Sequence, residues 1–305
     1  MKSSSIHGVI VPLLTPVDEN EQVIYSHLER LVEYVITGGV DAIFAMGTTG
    51  EFARFDAVTR AKIIAAVVRF TAGRVPVYAG VSDCGTARVT DHIRRAEDAG
   101  ADAVVTTLPY YFPNTSKYEA VQFIGKVASS TKLSVILYNI PVAIGSAIAP
   151  EVLDEVFPIG NIAAIKDSSG DLSYLESLMK RYHGKGKPFS VIVGNEKANF
   201  AGLSMGADGM VPSLANPYPK LLKAVYDSAV AKDTVKLKYY CDIVDEMNRL
   251  NSFSDSWMSP NIWRKAALEM MGIMSSCFTH PYTPLDAAAK EQVAKTIAQY
   301  RTLFQ

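Results

Sequence analysis

The sequence predicts a (β/α)8 barrel over residues 1–231, followed by a helical extension over residues 232–305. Three observations lead there. Eight short apolar runs rich in Val and Ile recur between residues 8 and 213, and segments with a helical period lie between them. The runs are apolar on both parities, as parallel strands covered on two faces must be. Beyond about residue 232 the strand-like runs stop. Strand then helix, repeated eight times, is the pattern of a closed parallel barrel. An open doubly wound sheet is the competing architecture. It normally announces a nucleotide with a Gly-rich first turn, and neither GxGxxG nor GxxxxGK[ST] occurs.

The first run, "GVIVPLL" (8–14), precedes "YSHLERLVEYVITGG", where Leu28, Leu31, Val32 and Val35 share one helical face and Gly38 and Gly39 end the segment. "DAIFAM" (41–46) leads to "DAVTRAKIIAAVVRF", with Asp56 placed to cap it. "VPVYAGV" (75–81) and "DAVVTTL" (102–108) follow. In "SKYEAVQFIGKVA", Ser116 and Glu119 stand at capping-box spacing ahead of Phe123, Ile124 and Val127. "SVILYNI" (134–140) leads to "APEVLDEVF", in which Pro150 suits a first helical turn. "IAAIK" (162–166) leads to "GDLSYLESLMKRYHG". There Asp171 is the cap, Leu172, Leu175, Leu178 and Met179 share a side, and Gly184 follows the last turn. "SVIVG" (190–194) and "DGMVPS" (208–213) complete the eight. "TVKLKYYCDIVDEMNRL", "SPNIWRKAALEMMG" and "PLDAAAKEQVAKTIAQYRTLF" read as three further helices.

Composition excludes several function classes. Hydrophobic residues make up 49% and charged residues 20%, and the formal net charge is −1. No long run of one sign occurs, so neither nucleic acid nor an anionic membrane is an expected partner. Cys84, Cys241 and Cys277 are far apart and odd in number, which reads as isolated thiols in a reducing compartment. The five histidines lack ligand spacing, so no metal is expected. "MKSSSIHGVIVPLLTP" holds an apolar patch too short for a signal sequence and broken by Pro12. No apolar run approaches the roughly 18–20 residues that cross a bilayer. A cytoplasmic protein is the expectation.

In a (β/α)8 barrel the chemistry sits on the loops at the C-terminal ends of the strands. Those positions hold "GTTGE" (47–51), "PYYFPN" (109–114), "YNIPVAIG" (138–145), Lys166, "GNEKAN" (194–199) and "VPSLAN" (211–216). Tyr, Thr, Lys, Asn and Ser gather on this rim. Carboxylates are few and His is absent. That inventory suits amine catalysis of a carbonyl compound, because a Lys amine can form a cationic imine that withdraws electrons. The amine attacks only when neutral, and burial disfavours the charged form. Lys166 directly follows Ile162, Ala163, Ala164 and Ile165, which could supply that burial. Two readings stand for Lys166: a nucleophile, or a surface lysine, free or paired with Asp167. Tyr138 ends the preceding strand and would lie beside Lys166 as a proton shuttle, or else is a half-buried aromatic whose hydroxyl meets water. "GTTGE" either holds a carboxylate on hydroxyls and backbone N–H groups or is an ordinary tight turn. "PYYFP" is either a packed aromatic loop or a loop with a functional ring.

Together, "GTTGE", "PYY", "YNIP" and "KDSSGD", in this order and spacing, resemble the dihydrodipicolinate synthase and N-acetylneuraminate lyase family of pyruvate-dependent aldolases. The likeness covers essentially the whole chain, including the C-terminal helices. It implies a (β/α)8 barrel, a homotetramer built from tight dimers, and a Schiff base between pyruvate and Lys166 with no other cofactor. Tyr138 would be the general acid/base and Thr48 its hydroxyl relay. Thr49, with backbone groups of the loop at Gly47, would hold the pyruvate carboxylate. Tyr111 would reach across the tight dimer into the neighbouring site.

Departures from the family pattern bear on the substrate. Dihydrodipicolinate synthases typically carry an Arg two residues after the Pro of "YN-x-P", where this chain has Ala143. Loss of that guanidinium removes a bidentate carboxylate clamp and would leave a more apolar pocket wall, which disfavours lysine biosynthesis. N-acetylneuraminate lyases carry Tyr-Asp-Glu after the glycine that here is Gly194. This chain has Asn195, Glu196 and Lys197, so only the middle acidic acceptor of sugar hydroxyls remains. Ser213 matches a hydroxyl-binding serine of the lyases, and Val211 would line the pyruvate site. The expected activity is reversible cleavage of a 2-keto-3-deoxy sugar acid or 4-hydroxy-2-oxo acid to pyruvate and an aldehyde. A dehydratase on the same scaffold, the two enzymes named above and a silent keto-acid binding protein are the alternatives.

Overall fold

The computed structural model describes residues 6–112, 116–185 and 188–304. Pro113 and Asn114 of the expected rim segment "PYYFPN" lie outside them. The elements run β1 (Gly8–Pro12), α1 (Tyr25–Thr37), β2 (Ala42–Ala45), α2 (Ala57–Thr71), β3 (Val77–Gly80), α3 (Thr86–Asp98), β4 (Ala103–Thr106) and α4 (Lys117–Ser129). They continue β5 (Ser134–Asn139), α5 (Pro141–Ile144), α6 (Pro150–Val156), β6 (Ile162–Asp167), α7 (Leu172–Tyr182), β7 (Ser190–Val193), α8 (Asn199–Ser204) and β8 (Gly209–Met210). The last four are α9 (Pro219–Val230), α10 (Thr234–Met247), α11 (Ser259–Met270) and α12 (Ala287–Phe304). The eight strands are parallel and close into a barrel in sequence order. This is the (β/α)8 architecture expected from the pattern of runs.

Local signals act where the sequence places them. On α1, Leu28, Leu31, Val32 and Val35 are buried. Asp56 caps α2 by accepting from Thr59 N at 2.8 Å, and Ser116 caps α4 by accepting from Glu119 N at 3.2 Å. Pro150 is the first residue of α6. Asp171 Oδ1 accepts from Ser173 N and Tyr174 N at the start of α7. Each such cap is worth about 1 kcal/mol.

Three expectations need correction. Leu172 is 44% exposed, because it is the first residue of α7 and the buried face begins only at Leu175. β8 is two residues long, not six. Val211 N still donates to Val193 O at 2.8 Å, but Pro212 has no N–H to extend the ladder, and Ser213–Ala215 is a helical turn. β6 does not end on Lys166. Gly194 N donates to Asp167 O and Ser168 N to Asn139 O, so the ladder holds Asp167 in the strand.

Beneath Lys166 the barrel interior is apolar, built by Ile10, Phe44, Val105, Ile136 and Ile192. All five are at most 3% exposed, and each side chain contributes roughly 1.5–3 kcal/mol by burial. At the seam between β8 and β1, the buried Asn216 accepts from Leu14 N (3.0 Å) and donates to Pro12 O (2.9 Å). It is therefore a structural residue, although its segment was expected on the catalytic rim.

After β8 the chain adds α10 against α9, then α11 against α12. On α11 two adjacent cations are buried. Lys265 is fully buried, and its Nζ donates to Glu51 Oε1 (2.7 Å) and to Cys277 O (2.8 Å). Glu51 Oε2 accepts from Thr279 N and Thr279 Oγ1. Burial pulls the Lys265 ammonium below its ordinary range, more than Glu51 lifts it. This pair ties the loop after β2 to the C-terminal helices. Lys265→Met strands the Glu51 carboxylate and should destabilise the protein by roughly 3–5 kcal/mol. Adding Glu51→Gln should restore much of that loss. Denaturant midpoints test the account; equal midpoints for wild type and Lys265→Met would sink it.

Candidate active site

The β5–β6 register places Tyr138 directly opposite Lys166, and Asn139 opposite Asp167. Side chains alternate along a strand, so partners in register share a face. Tyr138 and Lys166 therefore turn inward together while Asn139 and Asp167 turn the other way. Asn139 Nδ2 donates to Asp167 Oδ1 at 2.7 Å, and Ser169 Oγ donates to Asp167 Oδ2 at 2.9 Å. Burial pushes the Asp167 carboxyl above its usual range, against the lowering effect of these bonds. Asp167 is thus a strut for the "DSSGD" loop and no partner for the Lys166 amine.

Lys166 is only 5% exposed, as is Tyr138. Its Nζ lies 3.6 Å from the centroid of the Tyr138 ring and 5.5 Å from that of Phe44. Phe44 meets Tyr138 edge to face, with centroids 6.4 Å apart. The surface-lysine reading is excluded by this burial. Burial alone would raise the Tyr138 phenol, but the adjacent Lys166 charge, with Thr48, holds it below its ordinary value. The phenol is thus eased toward losing its proton only while Lys166 carries its charge.

The two groups open into a cavity of about 290 Å³. Thr48, Thr49, Gly194, Asn195, Glu196, Val211 and Ser213 line it with them, as the sequence led us to expect. The turn at "GTTGE" uses the N–H groups of Gly50, Glu51 and Phe52 on the carbonyls of Gly47 and Thr48. It leaves those of Thr48 and Thr49 outside the turn's own bonding. A Cβ on Gly194 would sit 2.8 Å from Lys166 Cε and 2.1 Å from Ser168 Oγ, so the lysine needs a glycine there.

Two expected residues, Gly47 and Ala143, do not line the cavity, and Tyr111 points away from it. Gly47 is buried behind the cavity, its α-carbon packed so closely on Phe44 that a Cβ would meet the ring at 2.7 Å. Ala143 is exposed on α5 and does not line the cavity, so its methyl makes no apolar pocket wall. Tyr111 is 82% exposed at a left-handed φ of 75°, stacked edge to face on the equally exposed Phe112. The loop after β4 carries it away from this chain's own cavity.

Sequence reasoning missed a whole wall. Asn248, Asn251, Trp257, Met258, Asn261 and Arg264, from the segment before α11 and from α11 itself, line the same cavity. The signal was present: "MNRLNSFSDSWMSPNIWRK" concentrates Asn and both tryptophans, and places two cations inside an apolar helical run. Arg264 Nη2 donates to Glu196 Oε2 (2.8 Å) and Asn248 Oδ1 (2.9 Å). Glu196 Oε1 accepts from Ser213 Oγ (3.0 Å) and Leu214 N (2.9 Å). Burial would raise the Glu196 carboxyl, but Arg264 and these donors bring it below its ordinary range. Glu196 is therefore an ionised acceptor held in place, and Asn195 caps the turn beside it through Lys197 N. Among the described residues no cluster of His, Cys, Asp or Glu is placed to hold a metal ion, and no helix is long and apolar enough to cross a membrane.

Comparison with known proteins agrees with the fold. The model of the dihydrodipicolinate synthetase family matches residues 5–300. A 4-hydroxy-tetrahydrodipicolinate synthase from Geobacter metallireducens is 31% identical over 297 residues, covering 97% of this chain and 99% of that protein. The dihydrodipicolinate synthase of Bacteroides thetaiotaomicron superposes with a TM-score of 0.91 at 29% identity, over 96% of this chain and 98% of that one. YagE of E. coli K12, solved in complex with pyruvate, superposes with a TM-score of 0.91 at 26% identity, over 97% and 99% of the two chains. The chain belongs to the dihydrodipicolinate synthetase family.

Proposed function

We propose that the protein is a Schiff-base-forming, pyruvate-dependent lyase that reversibly cleaves a 2-keto-3-deoxy sugar acid or 4-hydroxy-2-oxo acid to pyruvate and an aldehyde. One observation carries the reading: a buried lysine amine lies 3.6 Å from the ring of a buried phenol at the floor of a cavity. The pyruvate bound in YagE favours the same first substrate.

The chemistry follows from the groups in place. Once Lys166 has given up its ammonium proton, the amine adds to the C2 carbonyl, and the Tyr138 phenol gives its proton to the departing hydroxyl, so that water leaves and an iminium remains. The resulting phenolate takes the proton of the C4 hydroxyl. The C3–C4 bond breaks, its electron pair enters the iminium, and an aldehyde and an enamine form. Tyr138 returns the proton to C3, and water hydrolyses the iminium to pyruvate and free amine. Thr48 relays protons to Tyr138, while Thr49 and the unused loop N–H groups hold the carboxylate. No metal or other cofactor takes part in this scheme. Tyr111, exposed on its loop, would serve the site of a neighbouring subunit in the homotetramer that the family likeness implies.

The synthase activity named for the relatives shares the pyruvate half of this reaction and differs in the acceptor. The exposed Ala143 offers no clamp for the carboxylate of aspartate semialdehyde. A dehydratase would use the same imine and release no pyruvate. A pyruvate-release assay over 2-keto-3-deoxy acids, with aspartate semialdehyde condensation alongside, therefore separates the three.

Borohydride added with pyruvate should fix one adduct on Lys166, seen as a single mass increase that Lys166→Ala abolishes. An unmodified lysine under these conditions would refute the reading. Tyr138→Phe should lower turnover by about 10²–10⁴-fold, with the fold retained by circular dichroism. A variant within a few-fold of wild type would remove Tyr138 from the proton path.

A further inference from the structure

The two serines of "KDSSGD" point to different tasks. Ser169 Oγ donates to Asp167 Oδ2 (2.9 Å) and accepts from Asp171 N (3.1 Å), so it belongs to the loop. Ser168 faces the other way. Its N–H extends the β6 ladder by donating to Asn139 O at 2.8 Å, and side chains two residues apart on a strand share a face. Ser168 therefore follows Lys166 on the inward side, and it lines the cavity with Lys166, Tyr138 and Thr48. The backbone of Gly194 shows how near it stands to the amine. A Cβ there would meet Lys166 Cε at 2.8 Å and Ser168 Oγ at a shorter distance still.

The Ser168 hydroxyl oxygen is shut off from solvent and has no hydrogen-bond partner among the described residues. An oxygen without open surface is no contact for a substrate, so the group it can serve is a neighbour in the cavity wall. Tyr138 is that neighbour. Ser168 joins Lys166 and Thr48 in holding the Tyr138 phenol below its ordinary value, against the effect of burial. Lys166 has lost its charge when its amine attacks, and burial then opposes the phenolate until the iminium restores a positive charge. Thr48 and Ser168 are neutral donors and persist through that interval. A hydroxyl bonds an ionised oxygen about twice as strongly as a neutral one. An unmatched O–H beside Tyr138 therefore gains most when the phenol loses its proton.

We propose that Ser168 is a positioning residue for Tyr138: its hydroxyl donates to the phenolate oxygen between the step that protonates the departing hydroxyl and the step that takes up the next proton. The proton of Ser168 stays on Ser168 throughout. This deepens the imine reading of the site and rests on it.

Exchange of the pyruvate methyl protons for deuterium tests the proposal without any aldehyde, because the enamine forms and is reprotonated at C3 through Tyr138. The full chain is given pyruvate in D2O, and loss of the methyl signal is followed by proton NMR across a range of pD. In wild type the rate should rise with pD as Tyr138 ionises. Loss of a donor to the phenolate raises the phenol, so Ser168→Ala should slow exchange by about tenfold or more on the rising limb and move that limb up by about one unit. The yield of borohydride-trapped pyruvate adduct should be unchanged. Ser168→Cys, which fills the same space with a weak donor, should behave like Ser168→Ala. A limb that stays in place in Ser168→Ala, or wild-type rates in Ser168→Cys, overturns the proposal, while adduct formation leaves the imine reading standing. Absence of a pyruvate adduct in wild type overturns both.

Discussion

Two adjacent buried cations on α11, each held by a carboxylate from a barrel loop, fix the upper part of this molecule. Successive side chains on a helix project about 100° apart, so Arg264 and Lys265 reach in different directions. One meets Glu196 after β7 and the other meets Glu51 after β2. These loops bracket the β8–β1 seam, where the ladder is shortest because Pro212 ends β8 early. Buried ion pairs are a weak source of net stability, since desolvation offsets most of the attraction. What they supply here is orientation. A turn of α11 about its own axis would strand two charges at once, so the helix has one angular setting.

The floor of the site depends on a different constraint, the register of two neighbouring strands. Because Tyr138 and Lys166 are partners across β5 and β6, a slip of one residue in either strand would send one of them outward among the helices. The Asn139–Asp167 hydrogen bond on the opposite face secures that register. Thus the polar pair facing the helices keeps Tyr138 and Lys166 facing the cavity. The alanine-rich start of β6 and the absent side chain at Gly194 leave room for the amine to lie flat on the phenol.

Much of this was legible in the residues. Short strands covered on both faces leave a periodic trace in Val and Ile, and caps such as Asp56 and Asp171 act through neighbours three residues away, so both can be seen in one dimension. Lys166 and Tyr138 were accessible for the same reason, since strand ends in a barrel map directly onto the rim. The wall from α11 was not. Contacts between Glu196 and Arg264 join residues 68 apart, and only the folded chain brings them together. Ala143 was misplaced relative to this chain's cavity because strand-end position does not give the direction of a loop. Gly47 belongs to the motif but serves the packing of Phe44.

The position of Arg264 late in the chain has a consequence for how the protein is made. Tyr138 and Lys166 are synthesised before β8, whereas Trp257, Arg264 and Lys265 follow some fifty residues after it. The floor of the cavity is therefore made first during synthesis and the wall from α11 last.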